Sequence, residues 1–350
     1  MKAPLISVLV PAYNASAWIG EALLSLLNQS YSSLEIIVVD DASKDNTFER
    51  AASLGDSRVR IVKNEQNLGL ILSLNRACSL AEGKYFARMD ADDRALPTRI
   101  AKQVAALEAE PEIGVIGTAI RFFSEEPQWD SVTRHPLYHP QTPAEMKATL
   151  PFYSSLGHGS AMMRRSIFDQ ITEKDSHGHP ALYDSAFPHA EDFELWSRLS
   201  LKGIAMRSLP EILQEVRLHG SSVSRRENVA QLESAHRVRA QWRRQLGLAD
   251  SGTHFETHLS LGTLNFPSDI EFLDRAEECL LELLEANKKK HLFDEHAWER
   301  SLSMRWWQAC HALARSHPQI RWRACRSRFA SAADPFRLRS ANLVLKTLLR

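Results

Sequence analysis

Four short apolar runs, separated by stretches with helical spacing, do most to limit what the first part of this chain can become. The runs are Leu5–Val10, Leu34–Val39, Val59–Val62 and Tyr85–Met89. Between them, Ala17–Leu27, Asn46–Leu54 and Leu68–Ala81 read as helices. In the first, Ile19, Leu23, Leu26 and Leu27 share a face and Ser16 stands where a cap belongs. Gly83 closes the third. Strands alternating with helices predict a parallel α/β sheet, because parallel neighbours need a crossover between them. The runs read as apolar on both faces, as expected of strands covered by helices on both sides. Ligands of such sheets sit at the carboxyl ends of the strands. Asp40 and Asp90 stand at two of those ends.

Further on the texture changes. Ile113–Phe123, Gly159–Arg164 and Ile212–Leu218 read as strands, and Asp192–Leu201 as a helix. From Arg225 onward the pattern is helical and rich in Arg, Glu and Trp. The chain has 350 residues, more than one compact core usually needs. A boundary near Ser224 is expected, giving a catalytic domain over 1–224 and a helical region over 225–350 for acceptor, partner or membrane-surface contact.

Asp90-Ala91-Asp92-Asp93 follows a strand. Alternate residues on extended chain point the same way, so Asp90 and Asp92 can project into one crevice. Two close carboxylates repel unless a cation lies between them. A hard divalent ion, Mg²⁺ or Mn²⁺, takes such oxygens together with phosphate oxygens and water. An acidic loop capping the next helix, with Pro97 in its first turn, explains the same residues without a metal. Asp40-Asp41-Ala42-Ser43 could accept hydrogen bonds from a base or ribose, or be an ordinary turn. Asp192 could be a general base or a helix cap. Arg217 and His219 share one side of an extended segment. Arg217 suits phosphate and His219 a metal or a leaving phosphate; a polar strand end is the plainer reading.

Taken in order, these segments resemble the family-2 glycosyltransferases of the GT-A fold. The resemblance runs from Ser7-Val8-Leu9-Val10-Pro11-Ala12-Tyr13-Asn14 through Gln29-Ser30-Tyr31 and Ile36–Asp45. It continues with Asn67-Leu68-Gly69, Asn75, Ala87–Asp93, Gly157–Met162, Ala190–Trp196 and Arg217-Leu218-His219. It implies a mostly parallel GT-A sheet flanked by helices, with a helical C-terminal extension. It implies a metal-dependent, inverting enzyme of the hexosyltransferase class. The donor would be a nucleotide-sugar, UDP-linked by family habit. The acceptor would be a saccharide or lipid-linked glycan in surface polysaccharide synthesis. Pro11, Tyr13, Asp40 and Asp41 would line the nucleotide pocket, with Asp90 at ribose or metal. Asp92 and His219 would hold the metal, Mn²⁺ or Mg²⁺. Asp192 would deprotonate the acceptor, and Arg217 would close over the diphosphate.

Rival classes fit less well. An aspartate-nucleophile phosphatase wants Asp directly after its first strand, where this chain has Pro11-Ala12-Tyr13-Asn14. No GxGxxG follows that strand, which argues against a dinucleotide oxidoreductase. An inactive nucleotide-sugar-binding module of the same fold is the alternative, and Asp40, Asp90, Asp92 and Asp192 together argue against it.

Formal net charge is zero, so no global field recruits nucleic acid or a membrane. Cys78, Cys279, Cys310 and Cys325 form no CxxC pair and read as reduced thiols, which suits a cytoplasmic location. Leu5–Val10 is too short for a signal peptide or a span. The tail differs from the rest: residues 318–350 hold seven Arg and one Lys against one Asp. Arg321, Arg323, Arg326 and Arg328 interleave with Trp322 and Phe329, and such a segment can lie peripherally on an anionic bilayer. The same tail packed on folded protein, its arginines in water, is the competing reading. The tryptophans from Trp242 onward read as helix-packing core.

Overall fold

The computed structural model describes residues 3–170, 173–220, 229–314, 320, 324 and 326–330. The chain folds as two compact units. One comprises Met1–Gln141 and Leu156–Gly220; the other comprises Thr142–Ser155 and Ser221–Arg350. The sequence suggests one boundary near Ser224, a residue outside the described set, and gives no hint of the excursion at 142–155.

The first unit opens with β1 (Ile6–Ala12), α1 (Ile19–Leu27), β2 (Leu34–Asp40), α2 (Thr47–Ala52), β3 (Val59–Lys63), α3 (Leu70–Leu80) and β4 (Tyr85–Arg88). Every residue of β1 is buried, as a strand covered on both faces must be. β1 pairs in parallel with β2 on one side and β4 on the other, and β2 pairs in parallel with β3. Ala12 faces Asp40 and Leu9 faces Arg88 in register, which brings three strand ends together. Ser16 does not cap α1: the N-cap position is Trp18, and the Ser16 N–H goes to Asp45 Oδ2 at 3.1 Å.

β5 (Arg94–Ala95), α4 (Arg99–Ala109), β6 (Ile113–Phe123) and α5 (Asp130–Thr133) follow. α6 (Pro143–Thr149) belongs to the second unit. The first unit resumes with β7 (Met162–Arg164), α7 (Arg165–Phe168), α8 (Glu191–Leu201) and β8 (Ala205–Arg217). The eight strands run β3-β2-β1-β4-β7-β6-β8-β5. The sheet is not parallel throughout. β7 is antiparallel to both β4 and β6, and β5 is antiparallel to β8. β7 is three residues long; Gly159 and Ser160, expected as strand, lie in a 3₁₀ turn over His158–Ser160 instead.

The second unit is helical: α6, α9 (Val229–Gln245), α10 (Thr253–Thr263), α11 (Phe272–Lys290) and α12 (Glu295–Leu313). Thr142 caps α6 by accepting the Glu145 N–H at 3.2 Å, with Pro143 at the first helical position. Trp242, Trp298 and Trp306 are fully buried, as helix-packing core. Three arginines share this interior. The Arg239 Nε–H bonds the Phe152 carbonyl at 2.9 Å, Arg243 reaches Glu282 at 2.8 Å, and Arg305 lies over the rings of Tyr153 and Phe152. Most of the 318–350 segment expected at a membrane surface lies outside the described residues. Of the part described, Phe329 is buried, the Trp307 Nε1–H donates to the Ala330 carbonyl at 3.2 Å, and Arg328 meets Glu299 at 3.2 Å. Among the described residues no helix is long and apolar enough to cross a membrane. Cys78, Cys279 and Cys310 are buried, and burial pushes the Cys279 thiol up to about 12.

Candidate active site

The ends of β1 and β2 make the first part of the site. Asp40 closes β2 with its side chain fully buried. Ala42 adopts φ of 56°, strained for a residue with a Cβ, and this turns the Ser43 N–H back onto Asp40 Oδ1 at 3.1 Å. The other oxygen, Oδ2, is buried with no hydrogen-bond partner among the described residues and lies 3.7 Å from Lys63 Nζ. Asp41 is different. Its Oδ1 accepts from Asn64 Nδ2 at 2.7 Å and the Leu68 N–H at 2.8 Å, and its Oδ2 accepts the Gly69 N–H at 2.8 Å. Three of its acceptor positions are thus spent on holding the segment after β3. Pro11 is buried beside Val39, and Tyr13 just beyond β1 is exposed. The Asn14 N–H donates to Ser43 Oγ and the Lys44 N–H to Asn14 Oδ1, both at 2.9 Å, tying the two strand ends together.

The second part is the acidic loop after β4. Arg88 Nη1 donates to Asp90 Oδ2. Asp92 Oδ2 lies 2.9 Å from His219 Nε2, whose ring stacks on Trp18 at 4.2 Å between centroids. Asp93 is buried, accepting the Arg217 N–H at 3.0 Å and Gln214 Nε2 at 3.2 Å. Burial and the charges of Asp90 and Asp92 push its carboxyl well above the usual range. Beneath the loop Arg99, wholly buried, donates to the Arg88 carbonyl at 2.7 Å and to Gln214 at 2.5 Å. Burial brings its guanidinium down to about 9.

Arg217 is engaged at three nitrogens by the protein itself. Its Nε donates to the Asp92 carbonyl at 3.0 Å, Nη1 to Glu125 at 2.5 Å and Nη2 to Glu21. The guanidinium also covers Phe123, 4.4 Å from the ring centre. Through the Asp92 carbonyl it also braces the acidic loop.

The third part is the start of α8. Ala190, not Asp192, is the N-cap residue, so Asp192 sits inside the first turn, where the helix dipole favours a negative charge. Asp192 Oδ1 accepts the Phe193 N–H at 2.7 Å. Glu191 beside it is buried, 3.8 Å from His158 Nδ1. Burial and the Asp192 charge raise Glu191 to about 7. His158 Nε2 is 3.0 Å from the Tyr183 hydroxyl, and burial holds the imidazole well below its usual range, so it stays neutral. Asn75 of α3 grips Tyr183 by both backbone groups, at 3.0 and 2.9 Å.

Asp90, Asp92, Arg217 and His219 thus converge directly. Asp192 is joined to them through Glu191, which feels the charges of Arg88 and Asp90. Sequence alone assigns no role to Arg88, Asp93, His158, Tyr183 or Glu191. His158 and Glu191 adjoin its motifs, yet their pairing across the fold leaves no periodic signal. Among the described residues no group of three or more His, Cys, Asp or Glu side chains is gathered to hold a metal ion.

A mixed sheet with acidic strand ends gathered in this way defines a GT-A fold. The model of the Glycosyl transferase family 2 domain matches residues 7–172. An uncharacterized glycosyltransferase of Haemophilus influenzae is 34% identical over 246 residues, covering 67% of this chain and 72% of the relative. WfaP of Escherichia coli, a UDP-Glc:alpha-D-GlcNAc-diphosphoundecaprenol beta-1,3-glucosyltransferase, is 28% identical over 63% of this chain and 80% of its own. S. aureus TarS, in a crystal structure of residues 1–349 with UDP-GlcNAc, shares the fold at a TM-score of 0.55 and 18% identity, over 91% of this chain and 92% of that one. The chain belongs to glycosyl transferase family 2 and is a glycosyltransferase, with relatives named for amylovoran and O-antigen biosynthesis.

Proposed function

We propose that the chain transfers a sugar from a uridine-diphosphate donor to a saccharide or lipid-linked saccharide acceptor, inverting the anomeric centre. The observation that carries the donor reading is Asp40 Oδ2, buried and without a hydrogen-bond partner among the described residues. A buried acceptor left empty costs free energy unless a ligand fills it. The uracil edge offers one N–H between two carbonyls. Guanine offers two adjacent donors, which suit a carboxylate with both oxygens free, and Asp40 Oδ1 is already taken by Ser43. Lys63 Nζ, 3.7 Å from the empty oxygen, can donate to a neighbouring carbonyl. The UDP-GlcNAc held by TarS and the UDP-Glc named for WfaP support the same base. WfaP's diphosphoundecaprenol-linked acceptor supports a lipid-linked glycan here.

A divalent cation fits the acidic loop in part. Asp92 and His219 present one carboxylate oxygen and one imidazole nitrogen at a single spot, and a hard cation completes its shell with phosphate oxygens and water. Asp92 and His219 would hold it, and when bound it neutralises charge on the departing diphosphate. Asp192 accepts the proton of the acceptor hydroxyl as that oxygen bonds the anomeric carbon. The bond from that carbon to the diphosphate breaks on the opposite face, and the electron pair leaves with the diphosphate. One displacement inverts the centre, and no second carboxylate nucleophile is used.

A thermal-shift screen of UDP-, GDP-, CDP- and dTDP-sugars, each with and without Mn²⁺, tests the reading. Uridine donors should raise Tm only with Mn²⁺, and Asp40→Asn should erase the rise. A larger shift with a guanosine donor removes the uridine assignment.

A further inference from the structure

Arg88 is a cation built into the floor of this site. Only 6% of its side chain is exposed, and β4 delivers it directly beneath the acidic loop. Nη1 holds Asp90 Oδ2, while Nε is buried with no acceptor among the described residues. A Cβ built on Gly159 would stand 3.2 Å from Asp93 Oδ2 and 3.3 Å from both Arg88 Nη1 and Asp90 Oδ2, a tight approach over the pair. Arg99 fixes the Arg88 backbone from below, donating to its carbonyl at 2.7 Å. The Arg88 charge reaches His158, Tyr183 and Glu191 on the opposite side of the site.

The two motif carboxylates therefore have different partners. Asp90 is matched by a guanidinium from inside the fold, and Asp92 by His219. Were both free, two carboxylates and an imidazole would make a cation site that needs no nucleotide. Arg88 occupies Oδ2 of Asp90, and among the described residues no such set of three is gathered.

Resting on the donor reading above, we propose that Arg88 is a positioning residue that withholds Asp90 from the cation, so that the cation binds only together with the nucleoside diphosphate. The diphosphate oxygens then supply what Asp90 does not. Product diphosphate and cation would leave together, and the free protein would not accumulate metal.

Calorimetric titration of Mn²⁺, alone and with saturating UDP, tests this on the full chain and on the variants Arg88→Met, Arg88→Lys and Arg88→Met with Asp90→Asn. Wild type should bind Mn²⁺ at least tenfold more tightly with UDP than without it. Arg88→Met should bind Mn²⁺ alone at least tenfold more tightly than wild type does. Arg88→Lys, which keeps the charge, should restore dependence on UDP, and adding Asp90→Asn to Arg88→Met should abolish the gain. Arg88→Gln serves the same comparison if the methionine variant does not reach the wild-type Tm. A folded, charge-free variant that binds Mn²⁺ alone as weakly as wild type overturns the proposal. So does a gain that survives Asp90→Asn. Failure of the donor reading is recognised separately, as wild type that binds no Mn²⁺ even with UDP, and it takes this proposal with it.

Discussion

His219 and Asp92 meet at 2.9 Å although 127 positions separate them in the chain. The imidazole comes from the segment after β8 and the carboxylate from the loop after β4. If this contact marks the cation position, Asp92→Asn should weaken Mn²⁺-dependent UDP binding at least tenfold and abolish transfer. Calorimetry of UDP with Mn²⁺ is the check. Unchanged binding would return both residues to a purely structural role.

Asp40 and Asp41 are neighbours with opposite expected behaviour. Asp41 satisfies two backbone N–H groups and an amide, so Asp41→Ala strands buried donors at about 1–3 kcal/mol each. Its Tm should fall by several degrees, at about 2–4 °C per kcal/mol. Asp40→Asn replaces an oxygen that accepts no hydrogen bond from a described residue and has only Lys63 Nζ 3.7 Å away, so its Tm should stay close to wild type while UDP affinity drops at least tenfold. Melts paired with UDP titrations decide, and equal loss of stability in both variants would refute the distinction.

Asp192→Asn should leave donor affinity intact and lower turnover by about 10²-fold or more, the usual scale of a lost general base. Donor KM and kcat measured together separate this from a packing defect. A variant with near-normal kcat and a reduced Tm would make Asp192 a helix-stabilising residue only.

Glu191 gives a pH signature. Its carboxyl is raised from 4.5 to about 7, with burial as the first cause and the Asp192 charge as the second. Arg88 opposes that shift, Asp90 adds to it, and neutral His158 lies 3.8 Å away. Between these two values the folded state keeps a proton that the unfolded chain has released. The stability this proton contributes is fully present below the lower value and is lost as pH rises through about 7. Glu191→Gln, which cannot ionise, should therefore gain Tm on wild type at pH 8 and gain little at pH 5. Equal offsets at the two pH values would contradict a raised carboxyl.

The strand-end half of the site was legible because parallel buried strands write themselves as apolar runs, and Asp40 and Asp90 mark where two of those runs stop. The residues that couple the parts were not. Arg217 reaches Glu21 across 196 positions, and β7 needs only three residues to reverse the sheet direction. Periodicity reports a residue's local face and carries nothing about a partner that far away. Arg88 was hidden for another reason. An arginine inside an apolar run reads as a solvated interruption, whereas here it faces inward against Asp90.

The chain passes between its two units after Gln141, after Ser155 and after Gly220, so no single cut separates them. Ending the polypeptide at Gly220 would remove His258 and Arg239, whose nitrogens hold the Pro151 and Phe152 carbonyls at 2.9 Å. Met146, Leu150 and Phe152, all buried, would then be left in water on a dangling loop. The helical half thus acts as a clasp on the segment leading from β6 to β7. A shortened enzyme would carry an adhesive flap, and any natural loss of the C-terminal helices would be felt first as aggregation.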